Sequence, residues 1–207
     1  MAVMYKATIE PTKLELLAAW LPTRSWFSGS TALERIATFR FDDPDGQVGV
    51  ETMLVRAGDG PLFQTPMTYR AALLAGAEDF LIGTTEHSRL GHRWVYDACG
   101  DPIYATALAN TILTGGRSAD EFYDDGETVV PRQPRALAAG TGTHATDSFV
   151  AAGGLRTTDG DPTIMVIGDV ELSVARIVGH LDGTADLLTA RWDGSDAQVV
   201  LATARLI

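Results

Sequence analysis

From Leu33 to Phe41 the chain alternates steadily, with Ala37, Phe39 and Phe41 on one side and Ile36, Thr38 and Arg40 on the other. A period of two sends neighbouring side chains to opposite faces, so this stretch is a strand with one apolar face. Pro44-Asp45-Gly46 is a turn, and Val48 to Arg56 follows as a second strand, close enough to the first for a hairpin. Phe63 to Arg70 and Leu81 to Ser88 supply two more strands with a loop over 71–79, and Arg93 to Tyr96 either extends the sheet or begins a turn. Ala2 to Glu10 reads as a short strand or an arm. Between arm and sheet, Leu14, Leu17 and Leu21 recur at helical spacing, Thr12 and Glu15 form a capping box, and Pro22 stops the helix. The expectation is a helix packed on an antiparallel meander of about four strands.

A second helix starts at Asp101-Pro102 and runs through Ile103, Ala107, Leu108, Ile112 and Leu113 to Gly115-Gly116. Asp101 suits the cap, Pro102 the first turn and glycine the exit. From Arg117 to Arg135 the chain is polar, acidic and broken by Pro131 and Pro134, which reads as a long surface connection. Beyond it the pattern is again β. Val150 ends one strand, Gly153-Gly154 and 159–162 are turns, and Thr163–Gly168, Glu171–Val178, Ala185–Trp192 and Gln198–Ile207 are strands. Asp182-Gly183 and Asp193-Gly194 mark hairpins between the last three. The fold class is therefore α+β, divided into 1–116, a connecting segment 117–135, and a small β-rich subdomain 136–207.

The net charge of −11 argues against nucleic acid, whose binding rests on cations neutralising phosphates, and against an anionic membrane surface. No run of about 18 apolar residues is present, so no membrane span is expected. Cys99 is the only cysteine, which excludes an internal disulfide and fits a reducing compartment. Without a signal peptide, a cytoplasmic location is expected.

Glu86, His87, His92, Asp97 and Asp101 are the densest group of acid–base or metal-ligating side chains, but their spacing matches no zinc motif. The plainer reading has Glu86 and Asp97 bonding the turn around Gly91 and Asp101 capping the helix. Cys99 reads as a packed core thiol. Trp26, Phe27 and Trp94 suit either sugar stacking or core anchoring, the second being commoner. Gly140, Thr141, Gly142 and Thr143, followed by Thr146 and Ser148, loosely resemble a phosphate-cradling loop, although no lysine stands where a Walker loop places one.

Several motifs occur in a characteristic order: Leu21-Pro22-Thr23-Arg24-Ser25-Trp26-Phe27-Ser28-Gly29, Gly60-Pro61-Leu62-Phe63-Gln64, Gly83-Thr84-Thr85-Glu86-His87-Ser88, Arg93-Trp94-Val95-Tyr96-Asp97 and Gly100-Asp101-Pro102. Together, over roughly 14–115, they resemble the N-terminal cap of bacterial maltokinases, sugar kinases that phosphorylate maltose and feed α-glucan synthesis. The resemblance implies a cystatin-like helix on an antiparallel sheet. It also implies a degenerate kinase N-lobe after the cap, with Gly140–Thr143 as the phosphate loop and Val166–Asp169 and Leu172–Arg176 as the strand that carries the nucleotide-contacting lysine. That lysine position falls near Ala175, leaving Arg176 as the nearest cation. Arginine is not equivalent there, because its planar fork holds phosphate differently. Ser28-Gly29-Ser30 also departs from the family's Ala-Gly-Lys.

The residues after Arg176 read as hairpin strands without a His-Gly-Asp or Asp-Phe-Gly-like element, whereas a kinase needs a catalytic Asp and metal-binding residues. The expectation is a stand-alone, non-catalytic cap-like protein, needing no cofactor, that binds or regulates within maltose, trehalose or α-glucan metabolism. Its expected partner is a sugar kinase or glucan-metabolising enzyme. The alternative is a nucleotide- or sugar-binding component, using Gly140–Thr143 and Arg176, that completes a sugar kinase with another chain. Sheet edges additionally offer a route to a homodimer.

Overall fold

The computed structural model describes residues 2–145, 154–195 and 197–207. The fold is α+β, with two helices set among mainly antiparallel sheets. Helix α1 spans Lys13–Trp20 behind the expected Thr12/Glu15 capping box. The strands of the N-terminal half are β1 (Ala2–Tyr5), β2 (Ile9–Glu10), β3 (Leu33–Phe41), β4 (Gly49–Ala57), β5 (Leu62–Arg70), β6 (Leu81–His87) and β7 (Gly91–Asp97). Six of them form a sheet in the order β2-β6-β7-β5-β4-β3, so the expected simple meander is interrupted where β7 inserts between β5 and β6. The long 71–80 connection makes that crossover feasible, because β6 need not fold directly back on β5. Arg93–Tyr96 lies within a full strand.

The two faces of this sheet bury different things. Met53, Val55, Phe63, Met67 and Val95 point toward α1 and pack on Leu16, Leu17, Trp20, Leu21 and Trp26. Ala37, Phe39, Phe41, Val50 and Leu54 point the other way, toward helix α2 (Pro102–Leu113). Asp101 caps α2 through a 3.0 Å bond from the Ile103 amide and also holds Arg70 through paired bonds of 2.7 Å.

The opposite side of α2 lies on a second six-stranded antiparallel sheet. Its strands complete the chain together with β8 (Glu121–Asp124) and β9 (Val129–Arg132): β10 (Ala136–Gly140), β11 (Arg156–Thr158), β12 (Thr163–Ile167), β13 (Val170–Val174), β14 (Asp186–Trp192) and β15 (Val199–Leu206). Their order is β10-β14-β15-β13-β12-β11. The last strand therefore sits between β13 and β14. Asp193-Gly194 turns a true β14–β15 hairpin, but Asp182-Gly183 lies in a longer crossing and makes none. The sequence shows where strands turn, not which neighbours they choose. The expectations for Thr146, Ser148, Val150 and Gly153 lie outside the described residues. Ala136, Ala138, Leu172, Val174, Leu188 and Ala202 share one continuous core with α2 and the first sheet.

Segment 117–135 contains more than a surface connection. β8 runs parallel to β1 and antiparallel to β9, making a three-stranded sheet. This pairing was hard to read in the sequence because β8 is acidic and β9 carries a proline, which is admissible on an edge strand. No described helix is long and apolar enough to cross a membrane.

Candidate functional site

Between the small β1-β8-β9 sheet, the start of α1 and the α1-facing side of the first large sheet lies a cleft of about 520 Å³. Alternation along β3, β4, β5 and β7 brings Arg35, Arg40, Glu51, Tyr69 and Arg93 to it. Lys13 enters from α1, while Tyr5, Tyr123 and Arg132 come from the opposite wall. A bulge in β3 between Arg35 and Ala37 shifts the pairing with β4, which lets Arg35 join Arg40 on the cleft side despite their odd spacing.

At the floor stands Glu51, 4% exposed. Its carboxylate accepts from Lys13 Nζ at 2.5 Å and the Tyr69 hydroxyl at 2.8 Å, with Arg40 at 3.3 Å. Burial alone would keep this carboxyl protonated, yet Arg40 and Lys13 together with those hydrogen bonds bring its pKa down to about 2. Burial pulls the Lys13 ammonium below its ordinary value, against the attraction of Glu51. Burial, then the neighbouring Glu51, raises the Tyr69 phenol well above its usual range. Burial lowers the His87 imidazole, with Arg93 and Lys13 acting in the same direction. The cations and hydrogen bonds around Glu51 hold it ionised, far from an acid or base poised near neutrality.

Gly140, Thr141, Gly142 and Thr143 lie elsewhere, at the C-terminal end of α2. The Gly142 amide donates to the Ile112 carbonyl at 2.9 Å, His144 to Leu113 at 2.9 Å, Gly140 to Gly116 at 2.8 Å and Thr141 to Leu187 at 3.0 Å. A phosphate cradle presents unused amides at a helix N-terminus. Here the amides of Gly140, Thr141 and Gly142 are spent, two helix-end carbonyls being satisfied by this segment. A Cβ on Gly140 would stand 1.9 Å from the Thr111 carbonyl oxygen, and one on Gly142 2.3 Å from that of Leu113, so the glycines permit close backbone contact.

Arg176 is fully buried. Its guanidinium bonds both Asp97 oxygens, at 3.1 and 2.6 Å, and donates from Nε to Thr163 at 2.7 Å. It lies 5.0 Å from the centre of the Trp26 ring. The loop and Arg176 are at opposite ends of α2, a helix about 18 Å long by its rise per residue, so they do not share a site. Asp97 also accepts from the Cys99 amide, which corrects its expected place at the Gly91 turn. Glu86 does hold that hairpin, through His92 across the strand pair. Cys99 is a packed thiol whose pKa burial raises well above the ordinary value. Trp26 is a core anchor, its indole N–H bonded to Asp159 at 2.9 Å, while Trp94 stacks edge-on with His92. Among the described residues no group of three or more His, Cys, Asp or Glu side chains is placed to hold a metal ion.

The cleft was not foreseen. Its one legible signal was the placement of basic residues on strands of an acidic chain; the wall that closes it depends on the β1–β8 pairing, which spans well over a hundred residues, from Ala2 to Glu121.

Strands β3 to β7 of the first large sheet, with the end of α1 and the cap of α2, fall within a match to a known family. Residues 20–101 match the maltokinase N-terminal cap domain. This bears out the resemblance drawn from the motifs over a narrower span than they outlined. No curated protein gave a match to the chain. Within the maltokinase-cap segment lie Arg35, Arg40, Glu51, Tyr69, His87 and Arg93; Lys13 and the Tyr5, Tyr123 and Arg132 wall lie outside it. The cleft therefore combines cap residues with elements from beyond the matched region.

Proposed function

We propose that this protein is a non-catalytic cap-like module that binds or regulates an enzyme of maltose, trehalose or α-glucan metabolism, with a sugar kinase as its partner. The match of residues 20–101 to the maltokinase cap carries this reading. The polar geometry supports it. Glu51, Lys13 and Tyr69 are tied to one another in static contacts, and burial pushes the Cys99 thiol well above its ordinary value. In this reading α1 on the antiparallel sheet is the cystatin-like element, and the sheet from β10 to β15 is the relative of a kinase N-lobe without its working loop.

The alternative, a nucleotide- or sugar-binding component that completes a sugar kinase with another chain, rests on Gly140–Thr143 and Arg176. Those groups are engaged within the fold, so the cap reading is better supported. Affinity capture with the purified full chain as bait, against sugar kinases and α-glucan enzymes, is the test. Specific retention of a kinase is the expected result. Retention of none, together with no binding to glucan, removes the pathway assignment.

A further inference from the structure

Between the first large sheet and α2 lie five side-chain atoms that share no hydrogen bond with any described residue: the Thr52 and Thr68 hydroxyl oxygens, both ends of the Gln64 amide, and the Tyr104 hydroxyl oxygen. All four residues are buried, at 1% exposure or less. Thr52 alternates with Val50 and Leu54 on β4, and Gln64 and Thr68 stand two residues either side of Pro66 on β5. The strand pleat therefore sends all three toward α2, beside the apolar Val50 and Leu54. Tyr104 enters from the first turn of α2, its ring centre 6.4 Å from that of Phe41. A buried polar group that nothing meets costs its full desolvation, and native cores almost always supply a partner.

The strand register explains why these side chains do not satisfy one another. Thr52 is paired with Pro66, which offers it no polar side chain. Its diagonal neighbours, Gln64 and Thr68, have backbones about 7–8 Å away. Two threonine hydroxyls are too short to close such a gap, whereas one interposed molecule with a bond of about 2.8 Å on each side spans it. Burial raises the Tyr104 phenol well above its usual range while Thr52 pulls the other way, so the phenol stays neutral and able to donate beside Thr52. The set is neutral throughout and mixes donors with acceptors. An ion would bring an unbalanced charge into the core, and an apolar occupant would leave every group unmet. We infer that internal water occupies this layer, bridging the Thr52 and Tyr104 hydroxyls and extending to Thr68 and Gln64. The sheet then meets α2 through a hydrated seam inside an otherwise apolar contact, with water as a structural component.

Magnetic relaxation dispersion of ¹⁷O-labelled water on the full chain, which counts waters held inside longer than the molecule tumbles, tests this together with thermal melting. Thr52→Val and Tyr104→Phe each keep the shape of the side chain and remove one hydroxyl. The double variant is expected to hold fewer long-lived waters than wild type. Each single variant should melt about 2–4 °C lower, the shift that loss of one ordinary hydrogen bond produces in a chain of this size. The double variant should lose less than the sum of the two, because the bridging water leaves with the first hydroxyl. Thr52→Val melting at or above the wild-type temperature would mean that its hydroxyl is an unmet burden in a dry core, and overturns the inference. An unchanged water count in a folded double variant does the same. Should Tyr104→Phe fail to fold, Thr52→Val alone, read by both measurements, decides between a hydrated and a dry layer. None of these results depends on whether a kinase is captured.

Discussion

Glu51 and Arg176 are each the centre of a buried charge group, and each lets a single substitution report on the fold. Glu51→Gln leaves Lys13 and Arg40 facing each other without a counter-charge. Breaking a buried pair from one side costs about 3 kcal/mol or more, mainly because the abandoned charges stay desolvated. Lys13 is itself depressed by burial, so the intact group contributes less net stability than its removal costs. The pH dependence has a definite sign. The folded-state pKa of Glu51 is about 2 against an ordinary 4.5, so its contribution is complete above 4.5 and is lost as pH falls toward 2. Urea titrations of wild type and Glu51→Gln should differ fully at pH 7 and converge near pH 2. Arg176→Lys should destabilise by about 3 kcal/mol as well, since one ammonium cannot reproduce the bidentate grip on Asp97, the bond to Thr163 and the contact with Trp26 at once. A denaturation midpoint equal to wild type would show that the fork is not what joins these elements.

At the scale of elements, local chemistry was legible and long-range choice was not. Thr12 with Glu15, Asp101 with Pro102, and the Leu33–Phe41 alternation specify their helices and strand through contacts within a few residues. The partner of β15, the insertion of β7 and the parallel β1–β8 pair depend on which distant surfaces meet, which no local pattern encodes. The same divide separates the two candidate sites. Gly140–Thr143 has the composition of a phosphate loop, and the same composition serves a different need at the end of α2, where glycine lets one backbone donate to another at close range. Gly140→Ala should therefore act as a packing lesion. An added methyl in a filled space costs about 1–3 kcal/mol, which for a chain of this size lowers the melting temperature by several degrees, on the order of 2–4 °C per kcal/mol. Scanning calorimetry checks this.

For the whole molecule, the shared core has the largest effect. α2 is covered by a sheet on either side, and the residues that enclose it come from both halves of the chain. Full-length protein should therefore unfold in one cooperative transition, with tryptophan fluorescence and far-UV circular dichroism coincident. A fragment of residues 1–116 would expose the apolar side of α2 that β10 and β12 to β15 now cover, and it should bind a hydrophobic dye and aggregate rather than melt as an independent domain. Two separated transitions in the intact chain would argue for independent units. The pairing of β1 with β8 has a practical corollary of its own. Met4 and Tyr5 help form a wall of the cleft, so an affinity tag fused just ahead of Ala2 would hang beside the opening, and an acidic linker there would be drawn to the cleft's guanidinium groups. Ile207 lies beyond β15, on a sheet that contributes nothing to the cleft, and ligand screens are better run with the handle placed there.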